Sequence, residues 1–150
     1  MPEIEKRILV VDDDDAIRTL LFTVLRRRGY AVDTARNGAE ALERLGHCRY
    51  LVLLLDLMMP RINGWQVLDY LNDRPAEERP LVIVMTAGIE PRQFPPDIVA
   101  GTFHKPFDVE LLTDSVAACL ATLSGREQLP SCPTPESHRP RKSGNSENVN

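Results

Sequence analysis

The stretch LVLLLDLMMP, residues 51–60, decides the fold. Five consecutive aliphatic residues end at a single carboxylate, Asp56, and a Met-Met-Pro turn follows. An apolar run of this length without polar alternation is typical of a strand that is buried on both faces. Such strands belong to parallel sheets that helices cover on both sides, so this stretch predicts an α/β protein.

Two strand–helix units are predicted before this stretch. Residues 8–11 form a β-branched run that Asp12 closes, and apolar residues at helical spacing follow it until Gly29, whose position predicts a left-handed residue after the helix. Residues 30–35 predict a second strand. Asn37 is the expected cap of a short second helix, with Gly46 just past its end.

Two further strands and two further helices are predicted after it. A helix follows the 60–64 loop, residues 81–85 form another buried strand, and residues 101–104 a short fifth one. The prolines between residues 89 and 100 predict that a helix between these last two strands is short or irregular. Asp108 is the expected cap of a final helix and Gly125 its stop. We therefore predict one domain over residues 1–124 and a disordered tail over residues 125–150.

Composition excludes several classes of protein. The net charge of −4 disfavours direct binding to nucleic acid, and no apolar run approaches the length of a membrane span. The acidic, polar residues at the start do not resemble a signal peptide, so we expect a cytoplasmic location. No Gly-rich loop follows the first strand, which argues against a nucleotide-binding protein of similar fold.

Polar residues interrupt the apolar runs where the strands end: Asp12 and Asp13, Asp56, Thr86 and Lys105. Ligands of open parallel sheets bind beyond the carboxyl ends of the strands, so these groups are expected to converge. Clustered carboxylates need protonation or a cation, and hard oxygen ligands suit Mg²⁺. A lysine and a hydroxyl beside them could contact phosphoryl oxygens, and a carboxylate can attack phosphorus.

The sequence resembles the response-regulator receiver family across residues 6–124. The resemblance lies in four segments in the same order and spacing, namely residues 8–13, 54–64, 84–87 and 105–107. It implies a flavodoxin-like, doubly wound parallel sheet of five strands in the order 2-1-3-4-5, with helices on both faces. It also implies a phosphoacceptor switch of a two-component phosphorelay, served by a histidine kinase or a histidine phosphotransfer protein.

The resemblance also assigns roles to residues. Asp56 would be the phosphorylated nucleophile, and Asp12, Asp13, Asp56 and the backbone carbonyl of Met58 would hold Mg²⁺, with Mn²⁺ as a possible substitute. Thr86 and Lys105 would contact the phosphoryl group, and the Lys105–Pro106 peptide would be cis. Such a chain would catalyse its own phosphorylation and dephosphorylation and no other reaction. It would signal to an unknown target as a stand-alone regulator, and dimerisation is possible.

One departure leaves an alternative open. The family carries an aromatic switch residue three places before the site lysine, where this chain has Thr102, and strand alternation places Phe103 on the opposite face. A pseudo-receiver that binds partners without phosphorylation is therefore the alternative reading. An aspartyl phosphatase is disfavoured because Met58 stands where such enzymes need an acid/base.

Overall fold

The computed structural model describes residues 7–59, 62–88, 94–95 and 97–123. The predicted tail, Gly125 and most of the Pro-rich segment lie outside the described residues. These described residues form five strands and four α-helices, with a 3₁₀ turn at Ala76–Glu78. The strands are β1 Arg7–Val11, β2 Ala31–Ala35, β3 Val52–Asp56, β4 Leu81–Thr86 and β5 Val99–His104, and the helices are α1 Asp15–Arg27, α2 Gly38–His47, α3 Gly64–Asn72 and α4 Val109–Thr122.

All five strands pair in parallel, in the order β2-β1-β3-β4-β5. β3 is the central strand, and every one of its residues is buried. The register places Val11 beside Leu55 and Asp56 beside Met85, so the carboxyl ends of β1, β3 and β4 lie side by side. The predicted fold class is confirmed.

Side chains at the helix starts determine where each helix begins. Asp14, Asn37, Asn63 and Asp108 each accept a hydrogen bond from a backbone N–H of the first turn. These caps satisfy amides that would otherwise lack an intrahelical partner. At Asn63 the bond is reciprocal, because Gln66 reaches back to the Asn63 amide. The helices therefore start just after the loops at the carboxyl edge of the sheet.

Two apolar clusters cover the two faces of the sheet. On one face, α2 and α3 pack over residues such as Leu53 and Leu55. On the other, α1 and α4 pack over Leu54 and Ile83. Successive residues of β3 point to opposite faces, and both faces are apolar, so the strand has no polar alternation.

Two glycines that were predicted to follow helices behave differently. Gly29 has φ +94° directly after α1, which confirms its prediction. Gly46, by contrast, lies inside α2, which continues to His47, so its assignment past the helix end was wrong. A glycine ends a helix where the backbone turns left-handed, and Gly46 does not adopt that conformation.

The connection between β4 and β5 contains no helix in its described part, which consists of residues 87–88, 94–95 and 97–98. Phe94 stacks on Trp65 of α3 with ring centroids 5.0 Å apart. The Lys105–Pro106 peptide after β5 is cis, as predicted. In the described part of the chain, no helix has the length and apolar character to cross a membrane.

Candidate functional site

The end of β1 presents Asp12 and Asp13 at the carboxyl edge of the sheet. Asp12 is fully buried, and its amide donates to the Ala35 carbonyl across to β2. Its Oδ1 accepts from the Asp14 amide at 2.9 Å, so the side chain organises the turn into α1. Asp13 is exposed at the mouth of the site.

Asp56 ends β3 and is 2% exposed. Its Oδ1 accepts a hydrogen bond from the Met58 amide at 3.2 Å. The start of α3 packs tightly below it, since a Cβ on Gly64 would lie 2.7 Å from the Asp56 carbonyl oxygen. Burial, followed by the charge of Asp12, raises the pKa of the Asp56 carboxyl to about 7. A cation placed beside Asp56 would therefore stabilise the charged form of this carboxyl group.

Lys105 follows β5 and reaches back into the acidic cluster. Its Nζ lies 2.9 Å from Asp12 Oδ2 and 3.5 Å from Asp56 Oδ2. Desolvation acts to lower the pKa of Lys105, but hydrogen bonding to Asp12 and the charges of Asp12 and Asp56 outweigh it and raise the pKa. Lys105 is therefore a fixed ammonium charge at this edge.

Thr86 ends β4 and is 2% exposed. Its carbonyl accepts from the Lys105 amide at 2.7 Å, which ties the ends of β4 and β5 together. The hydroxyl accepts a hydrogen bond from the Gly88 amide at 3.3 Å. Thr86 thus lies at the same edge of the sheet, with its hydroxyl engaged in its own turn.

Asp12, Asp13 and Asp56 form a group that fits a divalent metal. One carboxylate oxygen from each lies within 4.8 Å of the others. Asp12 Oδ2 is buried, and Lys105 Nζ lies 2.9 Å from it as an ion-pair partner. Three carboxylates facing one ammonium leave excess negative charge, and hard oxygen donors suit Mg²⁺. The backbone carbonyl of Met58 stays a predicted fourth ligand.

Sequence reasoning missed Arg18. Its Nη1 donates to the Asp12 carbonyl oxygen at 2.7 Å, and its Nη2 donates to the Asp15 carboxylate. A signal was present, because a basic residue in the second turn of a helix can reach back over the acidic first turn. The spacing of the aliphatic residues in α1 identifies only the face that packs against the sheet, and Arg18 is not among those residues.

Phe103, which follows Thr102, lies on the face that strand alternation predicts. Phe103 packs against the apolar cluster under α1 and α4 and meets the Phe107 ring edge-on at 6.5 Å. Phe94 also stacks on Trp65, a contact that the sequence did not predict. These two rings lie on the face that α2 and α3 cover.

Solved structures with the same fold include receiver domains. A CheY-like receiver domain protein from Methanospirillum hungatei JF-1 is 26% identical with a TM-score of 0.71, and the match covers 79% of this chain and 97% of that one. A signal receiver domain from Bermanella marisrubri is 31% identical with a TM-score of 0.68, covering 77% of this chain and 98% of that one.

Curated relatives are longer regulators. The transcriptional regulatory protein ResD of Bacillus subtilis (strain 168) is 37% identical over 123 residues, 80% of this chain and 50% of that protein. Response regulator MprA of Mycobacterium ulcerans (strain Agy99) is 38% identical over 115 residues, 76% of this chain and 50% of that protein. The chain therefore spans about half the length of these relatives. The family model of the response regulator receiver domain matches residues 8–117, and the chain belongs to that family.

Proposed function

We propose that Asp56 accepts a phosphoryl group from a phosphohistidine on a histidine kinase or a histidine phosphotransfer protein. The observation that carries this proposal is the cluster of three carboxylates within 4.8 Å, with Lys105 Nζ 3.5 Å from Asp56 Oδ2. One Asp56 oxygen attacks phosphorus, and the bond from phosphorus to the donor's imidazole nitrogen breaks. The bonding pair stays on that nitrogen, and the product is an acyl phosphate on Asp56.

Each neighbouring group has a role in this transfer. Asp12, Asp13, Asp56 and the Met58 carbonyl would hold Mg²⁺, which neutralises charge on the phosphoryl oxygens when it is bound. Lys105 supplies a point charge to another phosphoryl oxygen. The Thr86 hydroxyl would exchange its bond with the Gly88 amide for one with the phosphoryl group.

The pKa of Asp56 is compatible with its role as nucleophile. The attacking carboxylate must be deprotonated, and both burial and the charge of Asp12 oppose this. The Lys105 ammonium and the hydrogen bond from the Met58 amide both favour the charged form. A bound divalent cation would favour it further, so loading the metal also activates the nucleophile.

The proposal extends to what the chain does after phosphorylation. Phosphorylated protein would signal through contacts with a protein target in the cytoplasm, and the chain would catalyse only its own phosphorylation and dephosphorylation. Direct contact with nucleic acid or membrane is not part of this role. The net charge of −4 supports a protein partner over a nucleic acid.

Incubation with acetyl phosphate and Mg²⁺ tests the proposal. Intact-protein mass spectrometry should show one added phosphoryl group on the parent chain and none on Asp56→Asn. Asp73→Asn makes the same charge change at an exposed position and should keep the adduct. Donor turnover without an adduct would indicate a hydrolase, and neither adduct nor turnover would indicate the pseudo-receiver.

A further inference from the structure

Arg18 connects α1 to the turn that carries two of the site carboxylates. It leaves the second turn of the helix, and its side chain is 16% exposed. Helical side chains point toward the helix N-terminus, so the guanidinium lies over the residues between β1 and α1. There Nη1 donates to the Asp12 carbonyl at 2.7 Å, and Nη2 donates to the Asp15 carboxylate. Two donors of one rigid group thus hold two points of this turn.

The carbonyl that Arg18 binds belongs to the peptide between Asp12 and Asp13. The Asp12 amide is held by the Ala35 carbonyl at 3.1 Å, and Asp12 Oδ1 by the Asp14 amide at 2.9 Å. The Arg18 bond fixes the remaining side of this residue. Asp13 is exposed, so the plane of that peptide contributes to the direction in which its side chain leaves the backbone.

We infer that Arg18 is a positioning residue that orients Asp12 and Asp13 for a divalent cation. The inference rests on the proposed function, because it assumes that these carboxylates bind Mg²⁺. Arg18 would touch neither the cation nor the phosphoryl group and would act through the Asp12–Asp13 peptide. Groups that orient metal ligands in this way typically contribute about 10–100-fold to metal affinity.

The sign of the effect separates positioning from charge. A guanidinium beside three carboxylates repels Mg²⁺, so a role through charge alone predicts tighter binding once Arg18 is neutralised. A positioning role predicts weaker binding. A purely structural role predicts a lower stability of the metal-free protein, with the Mg²⁺ affinity of the folded protein unchanged.

Titration calorimetry with Mg²⁺ and no phosphoryl donor is the test. Arg18→Met keeps the apolar stem and removes the donors, and we expect its affinity for Mg²⁺ to fall about 10-fold or more. Arg27→Met removes the same charge from an exposed position of the same helix and should stay within about twofold of the parent. With acetyl phosphate, Arg18→Met should need correspondingly more Mg²⁺ for half-maximal rate and approach the parent rate at saturation.

Each outcome decides the inference. Arg18→Met that binds Mg²⁺ as tightly as the parent, or more tightly, overturns it and leaves the proposed function standing. A parent chain that does not bind Mg²⁺ overturns both. If urea unfolding shows that Arg18→Met is not folded, Arg18→Gln takes its place, since its side chain is shorter and lacks the guanidinium. The same fall in affinity is then required.

Discussion

Lys105 and the two carboxylates that it faces show how single charges set the chemistry of the site. Its ammonium lies between Asp12 and Asp56, at 2.9 Å and 3.5 Å. In this position it offsets part of the repulsion among the acidic groups and occupies space on the side of Asp12 Oδ2. Under the proposed function, Lys105 would both compete with Mg²⁺ for these carboxylates and assist the phosphoryl transfer. Its removal should therefore separate binding from reaction.

Lys105→Met should bind Mg²⁺ at least as tightly as the parent chain and react more slowly with acetyl phosphate. Binding should tighten because a competing positive charge is gone. The rate at saturating Mg²⁺ should fall by about 10²-fold, which is typical when one stabilising donor is removed from a transition state. Calorimetry and mass-spectrometric time courses measure the two effects. Weaker Mg²⁺ binding in this variant would instead mean that Lys105 organises the carboxylates.

The start of α2 and the loop before α3 are in unusually close contact. A Cβ on Gly38 would lie 2.1 Å from the backbone carbonyl oxygen of Ile62, a separation that atoms cannot adopt. Ile62 directly precedes Asn63, the residue that caps α3. The close approach at Gly38 therefore affects how α3 and the loop that follows Asp56 are placed.

Gly38→Ala should destabilise the chain by about 1–3 kcal/mol, because the helix or the loop must move to admit the methyl group. A methyl group added by Gly46→Ala in the same helix would meet no atom within 4 Å. This variant should therefore be more stable than the parent chain by about 0.5–1 kcal/mol. Urea unfolding of the two variants measures the contrast. Equal shifts in the same direction would show that the Gly38 contact relaxes without cost.

The elements were predictable wherever one short-range signal dominates. The apolar runs that end at Asp56 and Thr86 predicted β3 and β4, and the position of Gly29 after a helical pattern predicted its left-handed backbone. The resemblance to a known family supplied the strand order, which is confirmed, and the predicted roles of the site residues. Neither source could place the stack of Trp65 on Phe94, because no periodicity connects residues of α3 with the connection after β4. The prediction for Gly46 was wrong for a related reason, since the presence of a glycine in the sequence does not determine its φ angle.

Three strands are tied together at the end of the sheet opposite the site. Asp33 of β2 accepts a hydrogen bond from the Tyr50 hydroxyl at 2.6 Å, just before β3 begins, and one from Arg7 Nη1 of β1 at 3.1 Å. Tyr50 is 2% exposed, so its phenol packs in the core on the face under α2 and α3. The hydrogen bonds that connect these strands therefore depend in part on the protonation state of the Tyr50 phenol.

The stability of the whole domain should therefore decline in alkaline solution. Burial, then the hydrogen bond to Asp33 and its charge, raise the pKa of the Tyr50 phenol above its ordinary value of 10.0. A raised pKa means that the folded chain holds the proton while the unfolded chain releases it. The stabilisation is thus complete below pH 10 and is lost as the pH rises above it, by at most about 1.4 kcal/mol per pH unit.

Urea unfolding at about pH 8 and about pH 11 measures this loss, with Tyr50→Phe as the variant that cannot ionise there. Tyr50→Phe should start about 1 kcal/mol less stable, because Asp33 loses a donor, and should lose less stability between the two pH values than the parent. Tyr70→Phe leaves the Tyr50 phenol in place, so its stability should decline with pH as that of the parent does. A parallel decline in Tyr50→Phe and the parent would place the alkaline sensitivity in other groups. In that case the contribution of Tyr50 to the sheet would be its packing and its neutral hydrogen bond.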